Sequence, residues 1–414
     1  MFRCFRSCNG VAEMRIAQVS PLVESVPPKL YGGTERIVSY LTEELVRQGH
    51  EVALFASGDS ETTAELIPCA PQALRLAHVD DALPYSVLQL EKIRQRARNF
   101  DVLHFHWDYF HLPLVRCLAS PAVTTMHGRM DLPNYQPLFA EFADMALVSV
   151  SDHQRKPLSA RWIATVPHGL PADLYSFSPE GADGYLAFLG RICPEKRPDR
   201  AIEIARRAGV ELKIAAKVDK VDMAYFEDVI RPLLRDPRVE FVGEVSDGEK
   251  QAFLAGAMAL LFPIDWPEPF GLVQIEAMAC GTPVIAWRRG SVPEVIEHGQ
   301  TGFIVDGIDE AVAAVENVRR LSRVAVRRGF EKRFSIERVG RDYIRVYQSL
   351  ADEPIVLARG GARPDAEPKA RRSAIDERIG ERPPWPVAAE FGGDFALTEA
   401  ALDDQGEAPK ALSD

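Results

Sequence analysis

The sequence predicts an α/β protein: two doubly wound, parallel-sheet domains facing each other across a cleft, with a disordered C-terminal tail. Three observations carry this reading. A chain of 414 residues with 46% hydrophobic and 26% charged side chains has ordinary globular composition but is too long for one typical core. Short apolar runs alternate with helix-patterned segments, as they do where helices cover both faces of a parallel sheet. A turn-rich stretch then interrupts the alternation, which restarts beyond it.

In chain order, "MFRCFRSCNGVAE" (1–13) lacks periodicity and reads as a non-structural extension, with translation expected to start at Met14. A first domain is expected over 14–172. Its strands are "RIAQVS" (15–20), "EVALFAS" (51–57), "DVLHFH" (101–106), "AVTTMH" (122–127), "ALVSVS" (146–151) and "ATVPHG" (164–169), with a helix over about 34–48 after the first. "PADLYSFSPEGADG" (171–184) is rich in turn formers, which places a linker over 173–184. A second domain over 185–335 carries strands "YLAFLG" (185–190), "ELKIAA" (211–216), "VEFVG" (239–243), "MALLFPI" (258–264), "PVIAW" (283–287) and "GFIV" (302–305). Each half is Rossmann-like, and ligands bind such sheets at the carboxyl ends of the strands. A helix over 336–350 is able to pack back on the first domain. The remainder, 351–414, is rich in proline and mixed charge and reads as mostly disordered.

Bulk properties exclude several classes. A net charge of -11 argues against nucleic acid as a partner. The six cysteines show neither a C-x-x-C pair nor zinc spacing, as expected for free thiols in a reducing, cytoplasmic compartment. No apolar run approaches the roughly 18–20 residues that span a bilayer, and the N-terminus lacks the apolar core of a secretory signal. Peripheral membrane contact stays open through the basic segment "EKIRQRAR" (91–98), although a solvated helix face is the better explanation of that segment.

The familiar nucleotide and metal motifs are absent. There is no G-x-G-x-x-G after a strand, no P-loop, no H-E-x-x-H and no Asp-x-Asp pair, so no metal is expected. His104 and His106 alternate on one strand near Asp108 and His111, and read better as hydrogen-bonded or cleft-lining histidines than as ligands.

Three segments look built for a diphosphate. "KLYGGTE" (29–35) puts Gly32 and Gly33 between the first strand and its helix, where backbone N–H groups can approach an anion. Taken alone it is as readily a flexible loop. "LGRICPEKRP" (189–198) ends the second domain's first strand, and Arg191 and Lys196 offer a donor fork and a point charge. "EPFGLVQIE" (268–276) has helical apolar spacing after Pro269, so a helix start near 270–272 presents unpaired N–H groups and a positive dipole end.

The carboxylates of that last segment, Glu268 and Glu276, raise the question of an acid–base pair. Were both on the helix, its rise of about 1.5 Å per residue would set them ~12 Å apart. Glycosidase pairs stand about 5–5.5 Å apart for retention and ~6.5–9.5 Å for inversion. The spacing suits instead an extended ligand gripped at both ends.

With these motifs in hand, the chain resembles the retaining glycosyltransferases of family 4, which have the GT-B fold. The similarity runs from about Met14 to Leu350 through the double glycine loop, "TTMHG", "GRICPEK" and the E-x7-E string "EPFGLVQIE". The resemblance implies that Gly32 and Gly33 lie against the donor phosphates, and that Arg191 and Lys196 bind the diphosphate and stabilise the leaving group. It implies that Glu268 contacts the donor sugar beside the backbone of Phe270, Gly271 and Leu272, that Glu276 holds the ribose, and that the base sits near Val245. His127 would face the transferred sugar, and His168 would be a hinge or cleft residue. The implied reaction is metal-independent transfer of a hexosyl group from a nucleotide-diphosphate sugar, UDP-glucose by the family's commonest usage, to an acceptor hydroxyl with retention. The acceptor, a glycan, glycolipid or small molecule, would be read by "HWDYFHLP" (106–113) and "GRMDLPN" (128–134). A sugar-nucleotide epimerase or hydrolase, or a non-catalytic sugar-nucleotide-binding protein, are the competing readings.

Overall fold

The computed structural model describes residues 7–8, 11–29, 32–107, 109–179 and 184–352. The expectations for residues 1–6, for 180–183 and for the tail beyond 352 lie outside the described residues. Two sheets form the framework. The first holds seven parallel strands: β1 (Arg15–Val19), β2 (Glu51–Ser57), β3 (Glu65–Ala70), β4 (Val102–Phe105), β5 (Ala122–Thr125), β6 (Leu147–Ser149) and β7 (Trp162–Thr165), in the order β3-β2-β1-β4-β5-β6-β7. The second holds six: β8 (Leu186–Arg191), β9 (Leu212–Lys217), β10 (Val239–Gly243), β11 (Ala259–Phe262), β12 (Val284–Trp287) and β13 (Gly302–Val305), in the order β10-β9-β8-β11-β12-β13. In each sheet the order reverses beside the first strand, which opens a crevice at the carboxyl ends of β1 and β8.

Three elements depart from the sequence reading. Strand β3 was not anticipated. It contains Pro68, which cannot donate to a ladder, and the strand is tolerated because it lies at the sheet's edge. The last strand of the first sheet is Trp162–Thr165, so "VPHG" is a connection and not a strand end. The extension before Met14 is not without structure: Ser7–Cys8 pairs antiparallel with Val11–Ala12.

Helix α1 (Gly33–Arg47) leaves the switch point of the first sheet. Ile37, Val38, Leu41 and Leu45 recur at helical spacing and are buried. The long C-terminal helix (Ile336–Asp352) follows the second domain in sequence but buries Ile336, Val339, Tyr343, Tyr347 and Leu350 in a core shared with Met14, Ile16, Leu41 and Val102 of the first. The chain thus crosses between the domains twice, and the crossings are tied together. Leu170 donates to the Phe334 carbonyl and accepts from the Ile336 amide, at 2.9 Å each. Arg327 reaches the carbonyl of Tyr175 at 2.9 Å, and Arg323 that of Ser178 at 2.8 Å. This frame holds the two crevices face to face.

Candidate active site

A cleft of about 780 Å³ lies between the carboxyl ends of the two sheets. That is within the usual range for small-molecule sites. The residues that the resemblance assigns to the donor and to the reaction all line it: Gly32, Gly33, His127, Arg191, Lys196, Val245, Glu268, Phe270, Gly271, Leu272 and Glu276, together with His168. No described residue of the segments expected to read the acceptor, 106–113 and 128–134, contributes to its lining.

The motif 268–276 is a loop followed by a helix. Helix α2 runs over Leu272–Ala279, and Gly271, at φ 79°, is its N-cap. A side chain there would be strained by the backbone conformation and would press on Gln274 and on the Phe262 ring. Glu268 therefore stands in the loop before the helix, which corrects the premise that both carboxylates ride on one helix. The loop is fixed from behind. Ser291 Oγ and Gln274 Nε2 donate to the Phe270 carbonyl at 2.8 and 2.9 Å, and Ser151 Oγ, from the first domain, donates to the Pro269 carbonyl at 2.7 Å. The Gln274 N–H is spent on the Gly271 carbonyl at 3.1 Å, so the helix start offers a ligand the N–H groups that precede it.

Each of the two carboxylates has a lysine partner. Glu268, 8% exposed, pairs with Lys196 and accepts from Trp266 Nε1 at 3.0 Å. The Lys196 ammonium also stands 5.0 Å from the Trp266 ring centroid. Glu276, 5% exposed, takes Lys250 at 3.0 Å and the Tyr175 hydroxyl at 3.3 Å, both on Oε1. Arg191 is likewise engaged, 3.5 Å from Asp219 and 3.4 Å from Asp222. The cations of the cradle are thus paired within the protein. An anion entering the cleft would compete with Glu268 for Lys196.

The opposite wall is built from histidines. His127 follows β5, half-buried, and its Nε2 lies 3.0 Å from His106 Nδ1. His168 stacks on it at 5.2 Å between ring centroids and meets the Phe270 ring edge-on at 5.0 Å. Burial lowers the His127 pKa to about 4 and lowers those of His104, His106 and His168 well below the usual imidazole range. These rings are neutral at neutral pH. His104 and His106 spend their nitrogens on Tyr347, Thr125, Gln18 and His127. His111 stacks on Phe105 and bonds Thr124. Among the described residues no group of three or more His, Cys, Asp or Glu is arranged to hold a metal ion.

Several cleft residues escaped the sequence reading. Lys250 ends "GEVSDGEK" (243–250), which matches no P-loop and carries no local sign of a ligand contact. Asp219 and Asp222 lie in "KVDKVD" (217–222), whose alternating charge resembles any solvated turn. Gly290 sits behind Glu268: at φ 54°, a Cβ on it would fall 2.2 Å from the Glu268 carbonyl oxygen. No local pattern announces such a close approach.

Fold and site together are those of a two-domain GT-B enzyme with a cation-lined cleft. The family described as Glycosyltransferase Family 4 matches residues 31–171, and Glycosyl transferases group 1 matches 177–329. The chain belongs to this family of glycosyltransferases. A phosphatidyl-myo-inositol mannosyltransferase of Mycobacterium leprae is 27% identical over 387 residues, covering 82% of this chain and 97% of that one. A D-inositol 3-phosphate glycosyltransferase of Pseudarthrobacter chlorophenolicus is 26% identical over 333 residues, covering 67% and 79%. Among solved structures, Anabaena HepE in complex with UDP and glucose superposes with a TM-score of 0.63 at 18% identity, covering 81% of this chain and 100% of that one. Among the described residues no helix is long and apolar enough to cross a membrane.

Proposed function

We propose that this glycosyltransferase moves a hexosyl group from a nucleotide-diphosphate sugar, UDP-linked, to an acceptor hydroxyl with retention of configuration and without a metal ion. The observation that carries the reading is the pair of lysine-held carboxylates in one cleft, Lys196–Glu268 and Lys250–Glu276, separated by a helix N-terminus. A nucleotide-sugar has the matching sequence of groups: sugar hydroxyls, diphosphate, ribose hydroxyls. Glu268 then takes the sugar, Lys196, Arg191 and the start of α2 take the diphosphate, and Glu276 takes the ribose.

In the reaction the bond from the anomeric carbon to the phosphate oxygen breaks, and a bond to the acceptor oxygen forms on the same face. The acceptor's proton passes to the departing phosphate. Negative charge grows on the leaving diphosphate, and Lys196 and Arg191 stabilise it as it grows. His127, neutral, orients a hydroxyl and carries no charge to the transition state. Closure of the two domains excludes water and favours transfer over hydrolysis. The acceptor is a glycan, a glycolipid or a small hydroxyl compound. A glycolipid would suit the helix Leu83–Arg96, which exposes Leu83, Val87 and Leu88.

The test is a panel of nucleotide-sugars incubated with and without candidate acceptors, in the presence of a chelator. Nucleoside diphosphate release that requires acceptor, persists with chelator and yields a product of the donor's anomeric configuration supports the proposal. Release without acceptor would favour a hydrolase or epimerase, and binding without turnover a sensor.

A further inference from the structure

A hydrogen-bonded chain runs from His127 at the cleft into the core of the first domain. His127 Nε2 lies 3.0 Å from His106 Nδ1, and His106 Nε2 lies 2.7 Å from Gln18 Oε1. Gln18 Nε2 donates to the Tyr347 hydroxyl at 3.0 Å, and that hydroxyl lies 2.7 Å from His104 Nδ1. His104 Nε2 lies 2.7 Å from Thr125 Oγ1, which lies 2.8 Å from the Tyr343 hydroxyl. Gln18, His104 and Tyr347 are fully buried and His106 nearly so. Such a chain needs each proton to have one place.

The polarity follows from the Gln18 amide. Its carbonyl oxygen can only accept, so His106 Nε2 carries a proton. A neutral His106 then has a bare Nδ1, which must accept from His127 Nε2–H. His127 cannot also carry a proton on Nδ1 while neutral. We propose that Gln18, acting through His106, holds His127 as the Nε2–H tautomer, so that the ring meets the cleft with a bare Nδ1 that accepts a hydrogen bond from a substrate hydroxyl. The far end is consistent. Tyr347 accepts from Gln18 and donates to His104 Nδ1, leaving His104 Nε2–H for Thr125. Were the Gln18 amide turned over, every bond would run the other way and a donor Nδ1–H would face the cleft.

Two further contacts keep the ring from turning to escape this constraint. Gln154 Nε2 donates to the carbonyls of Met126 and Gly128, on either side of His127, at 2.8 and 2.7 Å. The His168 ring covers one face at an interplanar angle of 16°. Gln18 and His106 are positioning residues in this account. The ring nitrogen that touches substrate belongs to His127. The tautomer stands on these contacts and on the neutrality of the buried rings, whereas its consequence for turnover rests on the proposed transfer reaction.

The experiment is nitrogen NMR of the histidine rings in the full-length protein at neutral pH, with the His127 signals assigned by their loss in His127→Gln. The expected result is a proton on Nε2 and a bare Nδ1. Gln18→Met and His106→Phe should release His127 to a mixture of tautomers and lower kcat about ten- to thirtyfold, the kinetic equivalent of one hydrogen bond, with donor KM little changed. His106→Asn, which keeps an acceptor at the Nδ1 position, should restore the tautomer and recover turnover relative to His106→Phe. A proton on Nδ1 in the wild-type protein, or a tautomer that Gln18→Met and His106→Phe leave unaltered, overturns the proposal. The spectra need no donor, so their failure is separate from a failure of the transfer reaction.

Discussion

Acid should destabilise the first domain through its neutral histidines, and His127 allows the size to be worked out. In the unfolded chain its pKa is about 6.5, and in the fold burial lowers it to about 4. The unfolded state therefore binds a proton first as pH falls, and stability drops through the window between those two values. Well above pH 6.5 neither state is protonated and nothing is lost. Between pH 7 and pH 5 the free-energy change for this one ring is about 2 kcal/mol, since each pKa unit is worth about 1.4 kcal/mol. His104, His106 and His168 shift in the same direction, so the wild-type fall should be steeper than one histidine allows. Carboxylates contribute to the same fall, and comparison with His127→Gln removes them. Thermal unfolding at pH 7 and pH 5 should show the variant losing about 4–8 °C less Tm than the wild type over that interval, at roughly 2–4 °C per kcal/mol. Equal losses in the two proteins would refute the claim that His127 is held neutral by burial.

Three substitutions follow from the cleft. Lys196→Ala should lower kcat by roughly 10²–10³-fold, because the leaving diphosphate loses a cation, and near-normal turnover in a steady-state assay would remove Lys196 from the diphosphate site. Lys250→Met leaves Glu276 with Tyr175 alone, so donor KM should rise while kcat changes little. An unchanged KM would show that Glu276 needs no such anchor. Gly290→Ala puts a methyl against the Glu268 backbone. Turnover should collapse even where circular dichroism shows the fold retained, and a fully active variant would show that the loop at Glu268 yields freely.

The fold was legible wherever a strand is buried on both faces. "YLAFLG" and "PVIAW" are continuous apolar runs because helices cover both sides of their sheet. "ELIPCA" (65–70) was missed because its proline argues against a strand, and only its edge position admits it. "WIAT" was displaced toward "ATVPHG" because both are short and apolar, and pairing with β6, not composition, selects the register.

Residues that line the cleft were legible where chemistry is concentrated in a short string. Glu268, Glu276, Arg191 and Lys196 stand in such strings. Their partners do not. Lys250 lies on a helix preceding β11, Tyr175 in the linker and Asp219 beyond β9, and tertiary contacts alone bring them together. The histidine chain is the clearest case. Alternation placed His104 and His106 on one strand face, but their partners Gln18 and Tyr347 are 329 residues apart in sequence.

The most direct test of the central claim, that the cleft holds a nucleotide-diphosphate sugar with its ribose on Glu276, is a calorimetric titration of UDP into the wild-type protein and into Glu276→Ala. The account predicts saturable binding by the wild type, weakened about ten- to a hundredfold in the variant through loss of hydrogen bonds to a charged group. Absence of UDP binding, or equal affinity in the two proteins, would contradict it.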